Sequence, residues 1–133
     1  MPYMSPFALV QAWQDAANHQ DSDRLVELSA PDIEVVGPRG SGHGYQLLRD
    51  WLGRAGLHLT TLRAFARDNI VVVAQHGVWR SLETGEVTGE RDLATRFRIE
   101  GQRVVQFARY DNLDVALDEA GLHYSDEIPE SKG

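Results

Sequence analysis

The main change of periodicity in this chain falls at Gly56. Before it, apolar residues recur three and four apart, the spacing of one helical face. After it they alternate with polar residues through most of residues 57–110, the spacing of a strand with one side buried. Long strands that follow one another through short turns pair antiparallel. The helices before them must then bury their apolar faces against that sheet. The order predicts an α+β fold: a curved antiparallel sheet, partly closed like a barrel, with three N-terminal helices on its concave side and a short C-terminal helix.

The individual elements follow from local signals. Ser5-Pro6 reads as an N-cap with proline at the first helical position. Phe7, Val10, Trp13 and Ala17 then predict a helix over 6–18. Asp21-Ser22 caps a short second helix that Pro31 stops. Residues 33–36 read as a short strand, and Gly37-Pro38-Arg39-Gly40-Ser41-Gly42 as a loop. Gly44, Leu48, Trp51, Leu52 and Ala55 form the stripe of a third helix. Gly56 stands where a left-handed C-cap belongs, with Leu57 as its apolar contact. Strands are predicted over 57–66, 70–80, 87–98 and 103–110. Arg67-Asp68-Asn69 turns between the first two, and Glu83-Thr84-Gly85-Glu86 loops between the next. Residues 99–101 are expected to form a three-residue hairpin loop with Gly101 left-handed. Asp111 reads as the N-cap of a helix over 112–120 that Gly121 ends. Residues 1–122 are taken as one domain, and the acidic residues 123–133 as a mobile tail.

The hairpin register decides which side chains face inward. A 99–101 loop pairs odd positions with odd positions. Leu93, Thr95, Phe97, Val105, Phe107, Arg109 and Asp111 then share one face. The opposite face carries Asp92, Arg96, Arg98 and Gln106. The odd face is more apolar and is expected to point into the concavity. Long strands coil, so helices on the concave face make a cone whose narrow end fills while its wide end stays open. The even face is expected to be solvated, or to meet a second copy through Arg96 and Arg98 in a homodimer.

Charge and composition narrow the class. The net charge of −7 argues against a nucleic-acid binder, which would carry a basic face. No apolar run reaches the ~20 residues of a membrane span. No basic region precedes an apolar run at the start, so no signal peptide is expected. These features predict a soluble, cytoplasmic protein without nucleic-acid or membrane partners. The chain has no cysteine, which excludes disulfides, Fe–S clusters and thiolate zinc. His19, His58, His76 and His123 show no ligand spacing, so neither a metal nor another cofactor is expected.

Several landmarks carry a resemblance. They are the first helix running into Asp21-Ser22-Asp23-Arg24-Leu25, and Ala30-Pro31-Asp32-Ile33-Glu34-Val35 before a Gly/Pro loop. His43-Gly44 then opens a helix with Trp51-Leu52, and Phe97, Gly101 and Val104 lead to Tyr110-Asp111. Over about 6–120 the chain resembles the NTF2-like superfamily, and within it the SnoaL-like group of cone-shaped proteins. That fold hosts isomerases, dehydratases, cyclases, epoxide hydrolases and non-enzymes, so the resemblance implies shape more than chemistry. One relative, ketosteroid isomerase, uses an aspartate base with a tyrosine and a protonated aspartate as oxyanion hole. Alignment of the landmarks puts Gly37, Trp13 and Leu93 in those places. That reaction by that mechanism is not expected here.

The alignment points Val73, Gln75 and Trp79 inward from the middle strand, with Trp13 and Trp51 from helices. The expected ligand pocket comprises Trp13, Val35, Trp51, Leu52, Val73, Gln75, Trp79, Leu93, Thr95 and Phe107. Its tryptophans read either as a stacking platform for a flat ligand or as ordinary core. Arg109 and Asp111 lie two apart on one strand face, about 6.8 Å between Cα atoms. They read either as a catalytic pair, with Arg109 holding a carboxylate or carbonyl and Asp111 moving a proton, or as an inert ion pair with Asp111 capping the last helix. His43 reads either as a catalytic imidazole on a loop or as a solvated side chain. His76 is expected to face outward.

The leading expectation is a protein that binds a small hydrophobic molecule with a polar or anionic head, its catalytic form being a metal-free lyase, isomerase or cyclase. The alternatives are a non-catalytic module that dimerises through the outer sheet face with the cone as core only, and a domain that associates with other polypeptides.

Overall fold

The computed structural model describes residues 4–37 and 40–129. Met1-Pro2-Tyr3, Pro38-Arg39 of the expected loop, residues 130–133 and the side chains of Arg54 and Ala55 lie outside the described residues. Three helices open the chain: α1 Pro6–Asn18, α2 Ser22–Glu27 and, after two strands, α3 Tyr45–Ala55. The Ser5 side chain accepts the Ala8 N–H and Asp21 accepts that of Arg24, so side chains cap both of the first two helices. The strands are β1 Ser29–Gly37, β2 Gly40–His43, β3 Leu57–Arg67, β4 Ile70–Arg80, β5 Val87–Glu100 and β6 Arg103–Tyr110. Helix α4, Leu113–Ala120, and a 3₁₀ turn at Tyr124–Asp126 follow.

These strands form one curved, unclosed sheet in the order β2-β1-β6-β5-β4-β3. All neighbours pair antiparallel except β1 and β6, which run parallel. Two expectations change at this end. Strand β1 begins at Ser29 and runs through Pro31 rather than starting after it. Its ladder with β6 is irregular between Ser29 and Glu34, so the missing proline N–H breaks no bond there. The glycine-rich stretch expected to be a loop supplies β2, paired with β1 from Glu34↔His43 to Gly37↔Gly40.

The register of β5 and β6 pairs Thr95 with Arg109 and Phe97 with Phe107, as an odd-to-odd hairpin requires. The turn itself differs. Gly101 and Gln102 form a two-residue turn with φ of +58° and +65°, and a bulge between Arg98 and Ile99 restores the parity. Odd side chains therefore face the helices. Leu9, Val10, Trp13, Leu48, Leu52, Val73, Phe97 and Phe107 pack into one core on the concave side.

The convex face is not simply solvated. Ala116 and Leu117 of α4, with Leu122, pack on Phe65, Val72 and Ala94. Arg96 donates to the carbonyl of Glu119 and lies over the Tyr110 ring, and Arg98 pairs with Glu100. Asn112, not Asp111, caps α4, its side chain accepting the Val115 N–H.

The segment expected to be a mobile tail is docked over residues 123–129. Arg63 holds Glu127 with two hydrogen bonds, Arg67 holds Asp126, and the Ile128 N–H donates to the Ala64 carbonyl. The acidic composition that suggested disorder is matched by arginines on β3. Together with Asn18, which exchanges two hydrogen bonds with the Leu59 backbone, this segment covers much of the free edge of β3.

Candidate functional site

Trp13 decides how deep the cone is. It is fully buried, and its indole N–H donates to the Ser29 hydroxyl at 2.9 Å. Its ring lies 5.1 Å from Phe107, 5.4 Å from Phe97 and 6.0 Å from Trp51, centroid to centroid. The narrow end is thus filled, and Trp13 is core rather than pocket wall. Beside it, Thr95 donates to the Gln75 side-chain oxygen, and Gln75 donates to Gln14. Gln14 in turn donates to Thr61. Gln75 and Thr95 are 0% exposed, and their hydrogen bonds go to one another rather than into a pocket. Leu52 and Val73 are core, and Leu93 packs with Leu57 and Leu59.

Above this floor lies a concavity of about 550 Å³, open on one side. Val35, Val36 and Gly37 of β1 form one wall. Gly40, Ser41 and Gly42 of β2 form its roof, and Leu47, Trp51, Phe107 and Arg109 complete it. Four of the expected residues, Val35, Trp51, Phe107 and Arg109, meet here. Helix spacing explains α3: Leu48 and Leu52 turn to the core, while Leu47 and Trp51, also four apart, turn to the pocket. Trp51 and Phe107 are 5.2 Å apart at 52°, so their rings form a tilted apolar corner resting on Trp13.

Among the described residues, Arg109 is the charged side chain that lines this pocket. Its guanidinium lies 5.6 Å from the centre of the Trp79 ring, and it makes no ion pair among the described residues. The expected Arg109–Asp111 pair does not form. Asp111 is bonded instead to Arg91 at 3.1 Å, and its side chain is 74% exposed at the rim. Trp79 faces a neighbouring groove with Thr88, Gly89, Glu90 and Arg91, which Arg109 also lines. His43 sits on the outer edge strand with its side chain 62% exposed, 4.0 Å from Glu34, and does not line the pocket. Gly37 does line it, at the place the ketosteroid isomerase comparison gives to a base, but brings no carboxylate.

Val36, Gly40, Ser41, Gly42 and Leu47 were not foreseen. The missed signal is in the glycines: a Cβ on Gly42 would lie 2.5 Å from Leu47, so the roof approaches the helix as closely as only glycine allows without displacing that side chain. On the convex face, His76 bonds Asp92 at 2.8 Å and Glu90 at 3.2 Å, and the bond to Asp92 raises its pKa. Among the described residues no group of three or more His, Asp or Glu is placed to hold a metal ion.

A sequence profile described as the SnoaL-like domain matches residues 10–107. The chain belongs to the SnoaL-like family. Solved structures agree on the fold of this SnoaL-like protein. An NTF2-like protein of unknown function from Cytophaga hutchinsonii ATCC 33406 is 13% identical, with a TM-score of 0.71 over 84% of this chain and 93% of its own. A proposed polyketide cyclase from Xanthomonas campestris pv. campestris is 21% identical, with a TM-score of 0.68 over 83% and 92%. TerC, co-crystallised with polyporic acid, is 19% identical, with a TM-score of 0.70 over 86% and 97%. A search of curated proteins finds no match. No described helix of the SnoaL-like chain is long and apolar enough to cross a membrane.

Proposed function

We propose that this SnoaL-like protein binds a flat, largely apolar small molecule that carries one anionic or strongly polar oxygen group. The observation that carries this is the open pocket of about 550 Å³ in which Arg109, the one charged lining residue among those described, makes no ion pair with any of them. A guanidinium presents a planar fork that matches a carboxylate or enolate with two parallel hydrogen bonds. Trp51 and Phe107 offer ring faces to the apolar body, and Ser41 offers a hydroxyl. The volume lies within the usual range of ligand sites, roughly 300–1,000 Å³. A proposed polyketide cyclase and a protein co-crystallised with polyporic acid among the structural neighbours support the same class of occupant.

The described lining residues supply no carboxylate or imidazole as a base. Chemistry at this pocket would rest on Arg109 stabilising negative charge that develops on a ligand oxygen. The alternative, a module acting through its outer sheet face alone, is less supported: α4 covers part of that face, and Arg96 and Arg98 make contacts within the chain.

The test is a fluorescence titration with 2-naphthoate. The wild-type protein binds it, and Arg109→Ala weakens binding about tenfold or more, the loss of one charge-assisted contact. Equal affinity in Arg109→Ala overturns the role of Arg109. Failure of the wild-type protein to bind flat carboxylates overturns the reading of the pocket.

A further inference from the structure

No carboxylate among the described residues holds Arg109, yet it stays at the pocket wall. What it has is Trp79, whose ring centre lies 5.6 Å from its guanidinium carbon. Three independent features hold Trp79 in that place. The β4–β5 ladder slips between Trp79 and Arg80, and a bulge of this kind re-aims the side chain beside it. The Thr88 hydroxyl donates to the Trp79 carbonyl across the bulge. The ring lies over Gly77, two residues back on its own strand, where an added Cβ would stand 3.4 Å from the indole Cη2, so no side chain competes for that space. The ring also packs beside Leu57, Leu59 and Leu93.

We infer that Trp79 is a positioning residue that sets the charge preference of the pocket, by holding Arg109 with its fork free. This rests on the proposed reading of the pocket. A carboxylate in place of the ring would also hold an arginine, but it would neutralise the charge and occupy the donors that an anion needs. An aromatic face holds the cation by its quadrupole and leaves the edge N–H groups available. The same chain carries the contrast: Arg91, two residues beyond Gly89, spends a donor on Asp111. The ring therefore favours a ligand anion over a neutral ligand of the same shape.

The experiment compares 2-naphthoate with 2-naphthamide, which share a ring system and differ in charge. Affinities are measured for wild type, Trp79→Phe and Trp79→Leu, with circular dichroism and melting curves as a check on folding. The wild-type protein prefers the carboxylate. Trp79→Leu lowers that preference about fivefold, chiefly through weaker binding of the carboxylate. Trp79→Phe, which keeps a ring, retains it within about twofold. A wild-type preference that persists undiminished in Trp79→Leu overturns the inference and leaves the pocket reading intact. Equal losses for both probes also overturn it, because they mark a general packing defect. Failure of the wild-type protein to bind either probe removes the pocket reading and this inference together.

Discussion

The indole of Trp13 and the hydroxyl of Ser29 form a buried pair that can be taken apart one atom at a time. Ser29→Ala removes two hydrogen bonds, the one it accepts from Trp13 at 2.9 Å and the one it donates to the Leu25 carbonyl at 2.7 Å. The second costs about 1 kcal/mol, and the first leaves an N–H orphaned in a dry interior at about 1–3 kcal/mol. Trp13→Phe costs about 1–2 kcal/mol through lost contacts and a small void, and takes the N–H away with the ring. Ser29→Ala in the Trp13→Phe background then loses only the Leu25 bond. The double variant is expected to be about 1–2 kcal/mol more stable than the sum of the singles. Urea unfolding with an unchanged m-value reads this directly, Ser29→Ala lowering the midpoint by roughly 1 M. Singles that add within about 0.5 kcal/mol would show that the bond contributes nothing, and that the fit of Trp13 against Phe97, Phe107 and Trp51 holds it alone.

Two further outcomes concern the outside of the sheet. His76 has its folded pKa raised by Asp92 and Glu90, so its contribution is present in full below the ordinary histidine value of about 6.5 and is lost as pH rises through the folded value. The melting temperature of wild type is expected to fall across that window relative to His76→Gln; parallel profiles would exclude the effect. Removal of residues 123–133 uncovers the β3 edge and Phe65, and is expected to lower the melting temperature by roughly 4 °C or more and to promote association seen by light scattering. An unchanged, monodisperse truncation would show that the docked segment protects nothing.

The fold was legible where period and punctuation agreed. Residues 57–110 alternate, and Gly56, with φ of +52° and the Arg80 carbonyl 2.2 Å from where a Cβ would stand, ends the helix as expected. The sequence was silent where structure depends on distant partners. Strand β2 has no apolar alternation to announce it, because it exists only by pairing with β1. The docking of 123–129 depends on Arg63 and Arg67, some 60 residues away. The site was half legible for the same reason. Parity placed Phe107 and Arg109 on the concave face, but parity does not say which inward polar groups satisfy one another. Gln75 and Thr95 were expected to await a ligand, but Thr95 donates to Gln75 and Gln75 donates to Gln14. Asp111 lay within reach of two arginines, and Arg91 took it.

The roof and the floor of the pocket are bound to the rest of the molecule very differently. Trp51 and Phe107 belong to the same aromatic cluster as Trp13, so altering either disturbs what keeps the chain folded. Strand β2 pairs with β1 alone, and Gly40, Ser41 and His43 on it are exposed. Replacement of Ser41 can therefore reshape what the cavity accepts while the interior stays untouched. Lineages descended from such a scaffold have a ready route to new ligands through one short edge strand, with the aromatic floor inherited unchanged.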